Sequence, residues 1–147
     1  MDSSALYQLM IIHLKRAFTL TTDLIQHLPE EALSQKLGDL PSNTIGEQLW
    51  CMIGARESYL QAVVDNEWSD FGCSLSDTRS KAEVLRVLEK SENDWFLYLD
   101  KHALNEIQAA FLMDLLRHEL QHHGQLIRYV YGNRLSFPAS WHDRYTV

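Results

Sequence analysis

Clustered positive charge is missing from this chain. Its 13 lysines and arginines are scattered among 20 acidic residues, giving a net charge of −7. That balance argues against nucleic acid and against an anionic membrane surface, both of which need concentrated Lys and Arg. Long apolar runs are missing too, and none approaches the roughly 20 residues of a membrane-spanning helix. The opening Met1-Asp2-Ser3-Ser4 carries no basic residue, so we expect no signal peptide. Cysteine is scarce: Cys51 and Cys73 make neither a disulfide framework nor a CxxC redox motif. They point to a reducing compartment, with the cytoplasm as the expected location. Internal repeats and low-complexity tracts are absent as well.

What is present is ordinary globular material. Hydrophobic residues are 46% and charged residues 22% of 147, enough for one domain, 1–147, with a real core. Leu6, Met10, Leu14, Ala17, Thr21, Leu24 and Leu28 recur at steps of three and four, which predicts a first helix from about Ser4 to Leu28. Ser3 or Ser4 can cap it and Pro29 stops it. His13 and His27 fall off that stripe and read as solvated. Pro29-Glu30-Glu31 opens a short helix with proline at its first position, and Gly38 closes it.

Thr44-Ile45-Gly46-Glu47 fits a capping box, so a second long helix starts at Thr44 and runs to about Asp65. Leu49, Met52, Ile53, Leu60 and Val63 supply its apolar packing. Cys51, Ala55, Ser58 and Ala62, with Gly54 beside them, form a stripe of small residues that lets another helix or a cofactor approach closely. Residues 66–79 lose all period and form the longest link. Ser80-Lys81-Ala82-Glu83 is a second capping box, opening a helix with Val84, Leu88, Ser91, Trp95 and Leu99 on one face and an end near Lys101. Asn105 and Gln108 make a weaker cap for the last long helix, which Gly132 ends as a left-handed cap. The tail Ser136-Phe137-Pro138-Ala139-Ser140-Trp141 is not helix interior, and its aromatics are expected over the bundle mouth. Four amphipathic helices without strand alternation predict an all-α four-helix bundle.

Within the last helix stands His118-Glu119-Leu120-Gln121-His122, continued by His123-Gly124-Gln125. Two imidazoles four residues apart share a helix face, about 5–6 Å between Cβ atoms. Both can grip one divalent ion if a third ligand comes from elsewhere. HExxH also invites a metalloprotease reading with Glu119 as general base, but the 25 residues after His122 offer no machinery for an extended substrate. Glu119 otherwise serves as a hydrogen-bonding neighbour that orients a ligand histidine.

Thr44-Ile45-Gly46-Glu47, Gly54-Ala55, and His118-Glu119-x-x-His122-x-Gly124-Gln125, in that order and at that separation, resemble the DinB (DinB/YfiT-like) four-helix bundles. The resemblance extends over nearly the whole chain, through the long link between helices 2 and 3 and the Phe-Pro-x-x-Trp tail. It implies a bundle, often dimeric, in which one histidine of the second helix and two of the fourth hold zinc, nickel or a similar ion. It also implies a metal-dependent thiol transferase or isomerase in which the ion activates the thiol of a low-molecular-weight cofactor. With an open position on the metal, we expect a transferase or hydrolase that uses an activated thiol or water.

Carried over by position, His118 and His122 match the fourth-helix ligands, and the second-helix histidine falls on Cys51. Either Cys51, His118 and His122 form a Cys-His-His site with an open fourth position, or the substitution records a lost site in a non-catalytic binding or dimerisation module. Glu47, one turn before Cys51, is an alternative oxygen ligand. His123 replaces a family arginine and points about 100° away from His122, toward another neighbour. Gly124 is expected to permit close helix approach, and Gln125 to hydrogen-bond across the core or to a ligand. Glu47, Glu119 and Tyr129 are candidate acid–base groups. The electrophile is not legible from the residues.

Overall fold

The computed structural model describes residues 3–147, and those residues are helical without strands. Four long helices carry the fold: α1 (Ser3–His27), α2 (Ile45–Asp65), α3 (Lys81–Lys101) and α4 (Glu106–Gly132). A 3-10 turn spans Glu30–Ser34, and a fifth, short helix, α5, spans Ala139–Arg144. The main packing pairs are α2 with α4, α1 with α4, α2 with α3 and α1 with α3. Helices α1 and α2 therefore face each other across one diagonal, and α3 and α4 across the other. None of the described helices is long and apolar enough to cross a membrane.

The ends follow the caps, with instructive exchanges. Thr44 and Glu47 form the reciprocal capping box, and Asn66 closes α2 in the left-handed region. The box at Ser80 is only half made. Ser80 accepts from the Glu83 amide, while the Glu83 carboxylate turns to Ser76 and Arg86. Asn105 and Gln108, the weaker cap on sequence, make the complete box. Ser3 and Ser4 both lie inside α1, and the residues before them are outside the described range. Leu6 departs from the expected stripe at 53% exposure, so α1 is buried only from Leu14 onward.

Four further expectations are corrected by packing. Pro29 occupies the cap of the 3-10 turn, which ends at Ser34 rather than at Gly38. Gly132 is the last residue of α4 and not its left-handed cap; the positive φ falls on Arg134. Gly132 is small because it meets Gly38, whose own φ of +53° makes the facing turn. Gly124 faces open space, with nothing within 4 Å of an added Cβ, so close helix approach is not its role. The tail is helical from Ala139, and Phe137 and Trp141 enter the core, the Trp141 indole donating to the Leu20 carbonyl at 2.7 Å.

The long link meets the small-residue side of α2 at Gly54 and Ser58, while Ala55 packs into the core and Cys51 faces α4. Phe71 lies where a Gly54 Cβ would stand, and the Thr78 carbonyl closes on Gly46. Ser58 ties both the amide and the carbonyl of Gly72, and the Glu57 carboxylate accepts from the Ser74 amide and hydroxyl. The fifteen-residue link, 66–80, thus has a folded path along α2 rather than a loose crossover.

The core is two apolar halves. One holds Leu14, Phe18, Val63, Trp95 and Leu112; the other holds Leu24, Ile53, Leu88, Leu126 and Trp141. On every long helix the change from one half to the other is marked by buried polar residues: Thr21, Arg56, Ser91, Glu119 and His123. A polar layer therefore crosses the middle of the bundle, where the α2–α4 contact is most extensive.

Candidate metal centre

Cys51 comes from α2, and His118 and His122 from facing turns of α4. One ligand atom from each, a sulfur and two imidazole nitrogens, lies within 4.8 Å of the others, so the group could hold a metal ion. Cys51 Sγ is 3.7 Å from His118 Nε2. Tetrahedral zinc with bonds of about 2.0–2.3 Å separates its ligand atoms by roughly 3.3–3.6 Å. That pair is already near the required spacing, and the widest separation has to close by about an ångström.

The outer contacts favour one binding face. His122 Nδ1 donates to Gln48 Oε1 at 2.5 Å, which leaves its Nε2 lone pair free. Gln48 in turn donates through Nε2 to Asn43 Oδ1 at 3.0 Å, and the Tyr129 hydroxyl donates to the same oxygen. His118 Nδ1 is buried with no hydrogen-bond partner among the described residues.

Burial first, and then neighbouring His118, pushes His122 down to about 4. Burial lowers His118 as well and raises the Cys51 thiol. At neutral pH both imidazoles are therefore uncharged bases, as an ion requires, and only the thiol has a proton to lose.

Glu119 does other work. It is completely buried, with Arg56 Nη2 at 2.5 Å and Arg56 Nε at 3.2 Å from its oxygens. Thr21 donates its hydroxyl to the same carboxylate at 2.7 Å. Burial alone raises a carboxyl pKa, but Arg56 and the hydrogen bonds outweigh it and hold Glu119 below its ordinary value. Arg56 also donates to the Leu88 carbonyl and to Ser91, and its guanidinium lies 3.8 Å from the Phe18 ring centroid. Glu119 hydrogen-bonds neither His118 nor His122, so it neither orients a ligand histidine nor has the freedom of a general base.

His123 joins this inner network, as its rotation from His122 predicts. Its Nε2 donates to Thr21 Oγ1 at 2.8 Å, and its Nδ1 accepts from the Tyr145 hydroxyl at 2.7 Å. Burial, opposed by neighbouring Glu119 and assisted by Arg56 and Arg144, brings it down to about 4. Glu47 is exposed and engaged in its capping box, and Gln125 is exposed on α4 rather than turned across the core. A cavity of about 540 Å³ opens beside Cys51, lined by Asn43, Glu47, Trp50, Cys51 and Thr78.

Sequence reasoning missed Gln48, Asn43 and Arg56. Gln48 had a signal: it stands three residues before Cys51, on the same helix face. Arg56 had one also, a lone cation amid the apolar run of α2. No family model, curated protein or solved structure matches the chain.

Proposed function

We propose that this chain is a divalent-metal protein of the DinB/YfiT-like type. Cys51, His118 and His122 hold a zinc or nickel ion and leave one coordination position for a small molecule. The observation that carries the reading is the convergence of one sulfur and two imidazole nitrogens within 4.8 Å. Thiolate with imidazole is a donor set suited to zinc and nickel rather than to magnesium or calcium. When bound, such an ion supplies the positive charge that ionises a water or a low-molecular-weight thiol near neutral pH. The chain's residues do the remainder. Gln48 fixes the tautomer of His122, burial keeps both imidazoles uncharged, and the adjoining cavity admits the reactants. This supports S-transfer or hydrolysis at an electrophile.

Elemental analysis of tag-free protein tests the proposal. One zinc or nickel per chain is expected, lost in Cys51→Ala and in His122→Ala while both variants stay helical. Native protein without stoichiometric metal after zinc or nickel is offered overturns it.

One contact favours a second reading. At 3.7 Å the Cys51 thiol can donate to His118 Nε2, so the two groups satisfy each other without an ion. The bundle is then a non-catalytic binding or dimerisation module, and it takes up no zinc.

A further inference from the structure

The cavity beside Cys51 contains one full charge. Of Asn43, Glu47, Trp50, Cys51 and Thr78, only Glu47 has a formally charged side chain, and no lysine, arginine or histidine lines the space. Its volume, about 540 Å³, is in the range of small-molecule sites. Glu47 accepts from the Thr44 amide through Oε1 at 3.2 Å and enters no ion pair among the described residues. Trp50 is 39% exposed, and Phe71, seated in the notch at Gly54, braces it at 5.6 Å between ring centroids. A carboxylate with a free oxygen beside a fixed indole ring is a combination that attracts an organic cation. Among these side chains an anion finds no opposite charge, and the net charge of −7 adds to the repulsion from Glu47.

Spacing limits the ligand's length. Glu47 and Cys51 are one turn apart on α2, with Cβ atoms about 5–6 Å from each other. A molecule that bridges them carries two or three carbons between its cationic group and its other end. Asn43 Oδ1 is already used by Gln48 and Tyr129, so what Asn43 offers a ligand is its amide N–H.

We propose that this cavity selects a short organic cation, its protonated amine held by Glu47 and Trp50 and its other end, a thiol, directed at Cys51. The thiol end rests on the metal reading given above; the amine end does not.

Three thiols, each with two methylenes between the sulfur and its polar group, test the assignment: cysteamine, 2-mercaptoethanol and 3-mercaptopropionate. Each is titrated into the full chain at pH 7, as purified and again after chelation. The Trp50 indole N–H signal is followed by NMR and identified by its loss in Trp50→Phe. One partly exposed ion pair plus one cation–π contact correspond to about a tenfold preference for cysteamine over the other two. Glu47→Gln keeps the capping box, which glutamine completes as well as glutamate does. In that variant the three affinities converge, with the helix content unchanged by circular dichroism.

Equal affinities in the native chain, preference for the carboxylate, or a preference that survives Glu47→Gln overturns the proposal. Cobalt loading separates the two readings, because the Cys51 sulfur bound to cobalt gives a charge-transfer band that an added thiol on the same ion intensifies. A chain that takes up no cobalt yet prefers cysteamine supports the cavity assignment and overturns the metal reading alone.

Discussion

Replacing Glu119 by glutamine separates the two roles that its HExxH setting allows. The substitution keeps size and shape, removes one charge, and leaves the Arg56 guanidinium, with 0% exposure, without a contacting counterion, Glu92 acting on it only at longer range. Arg56 retains the Leu88 carbonyl, Ser91 and the Phe18 ring, none of which carries negative charge. Removing one partner of a buried pair costs about 3–5 kcal/mol. Against a total of about 5–15 kcal/mol for a domain, that is a large share. At roughly 3 °C per kcal/mol for a chain of this size, Tm falls by about 9–15 °C. Urea unfolding followed by circular dichroism measures it, with an unchanged m-value showing that the unfolded state is the same. Arg56→Met with Glu119→Leu removes both charges together and recovers most of the loss. Under native conditions Glu119→Gln keeps the metal uptake proposed for the native chain, because glutamine still hydrogen-bonds Arg56 and so preserves the α2–α4 alignment, and position 119 touches none of the candidate ligands. A general base gives the reverse pattern, with stability intact and chemistry lost. A single variant within about 1 kcal/mol of the native chain refutes the structural reading of this carboxylate.

Acid destabilises the fold well above the carboxylate range. His122 and His123 sit at about 4 in the folded chain, whereas unfolded histidine titrates near 6.5, so below that pH the unfolded state binds more protons. Full stability above pH 6.5 is lost progressively toward pH 4, by up to about 1.4 kcal/mol per pH unit for fully buried His123 and less for His122. Urea midpoints at pH 7 and pH 5 check this, and an equal or higher midpoint at pH 5 contradicts it. Gly46→Ala puts a Cβ 2.0 Å from the Thr78 carbonyl oxygen and 3.0 Å from that of Leu33. Both are backbone atoms, so the link must move, at a cost of about 3 kcal/mol in the same urea assay. Gly124→Ala meets no atom within 4 Å in mid-helix and raises stability by about 0.5–1 kcal/mol; a loss there would show a contact that the fold does not contain.

The elements that local chemistry dictates were legible. The limits of α2 and α3 follow from Thr44, Ser80 and the 3.6-residue period, and Val84, Leu88, Ser91, Trp95 and Leu99 are all buried as that period requires. The failures lie where distant chain segments decide. Gly132 reads as a cap because glycine usually is one there, but its reason is Gly38, about ninety residues away. The tail from Ser136 to Trp141 reads as outside any helix, yet Pro138 caps α5 and the Leu20 carbonyl receives Trp141. Helix spacing supplied the His118–His122 pair, while Cys51 came from the family resemblance alone. The bond from Gln48 to His122 joins positions 74 residues apart, and no local pattern encodes it.

The string His118-Glu119-x-x-His122-His123 reads in one dimension as a single motif, and on a helix it is two. Positions 118 and 122 form one i,i+4 pair; 119 and 123 form another, turned by about 100°. The first pair meets Cys51 and Gln48 on α2, at the rim of the bundle beside the cavity. The second meets Thr21 on α1, and its glutamate meets Arg56 on α2. Both pairs thus contact α2, but with different aims. Arg56 fits its carboxylate only when α2 and α4 stand at one axial offset, since a slip of one turn, about 5.4 Å, leaves two charges buried and unpaired. That same offset brings the Cys51 sulfur opposite the two imidazoles. The inner pair therefore fixes the alignment on which the outer pair depends, and a buried ion pair is what brings the candidate ligands of α2 and α4 to face each other.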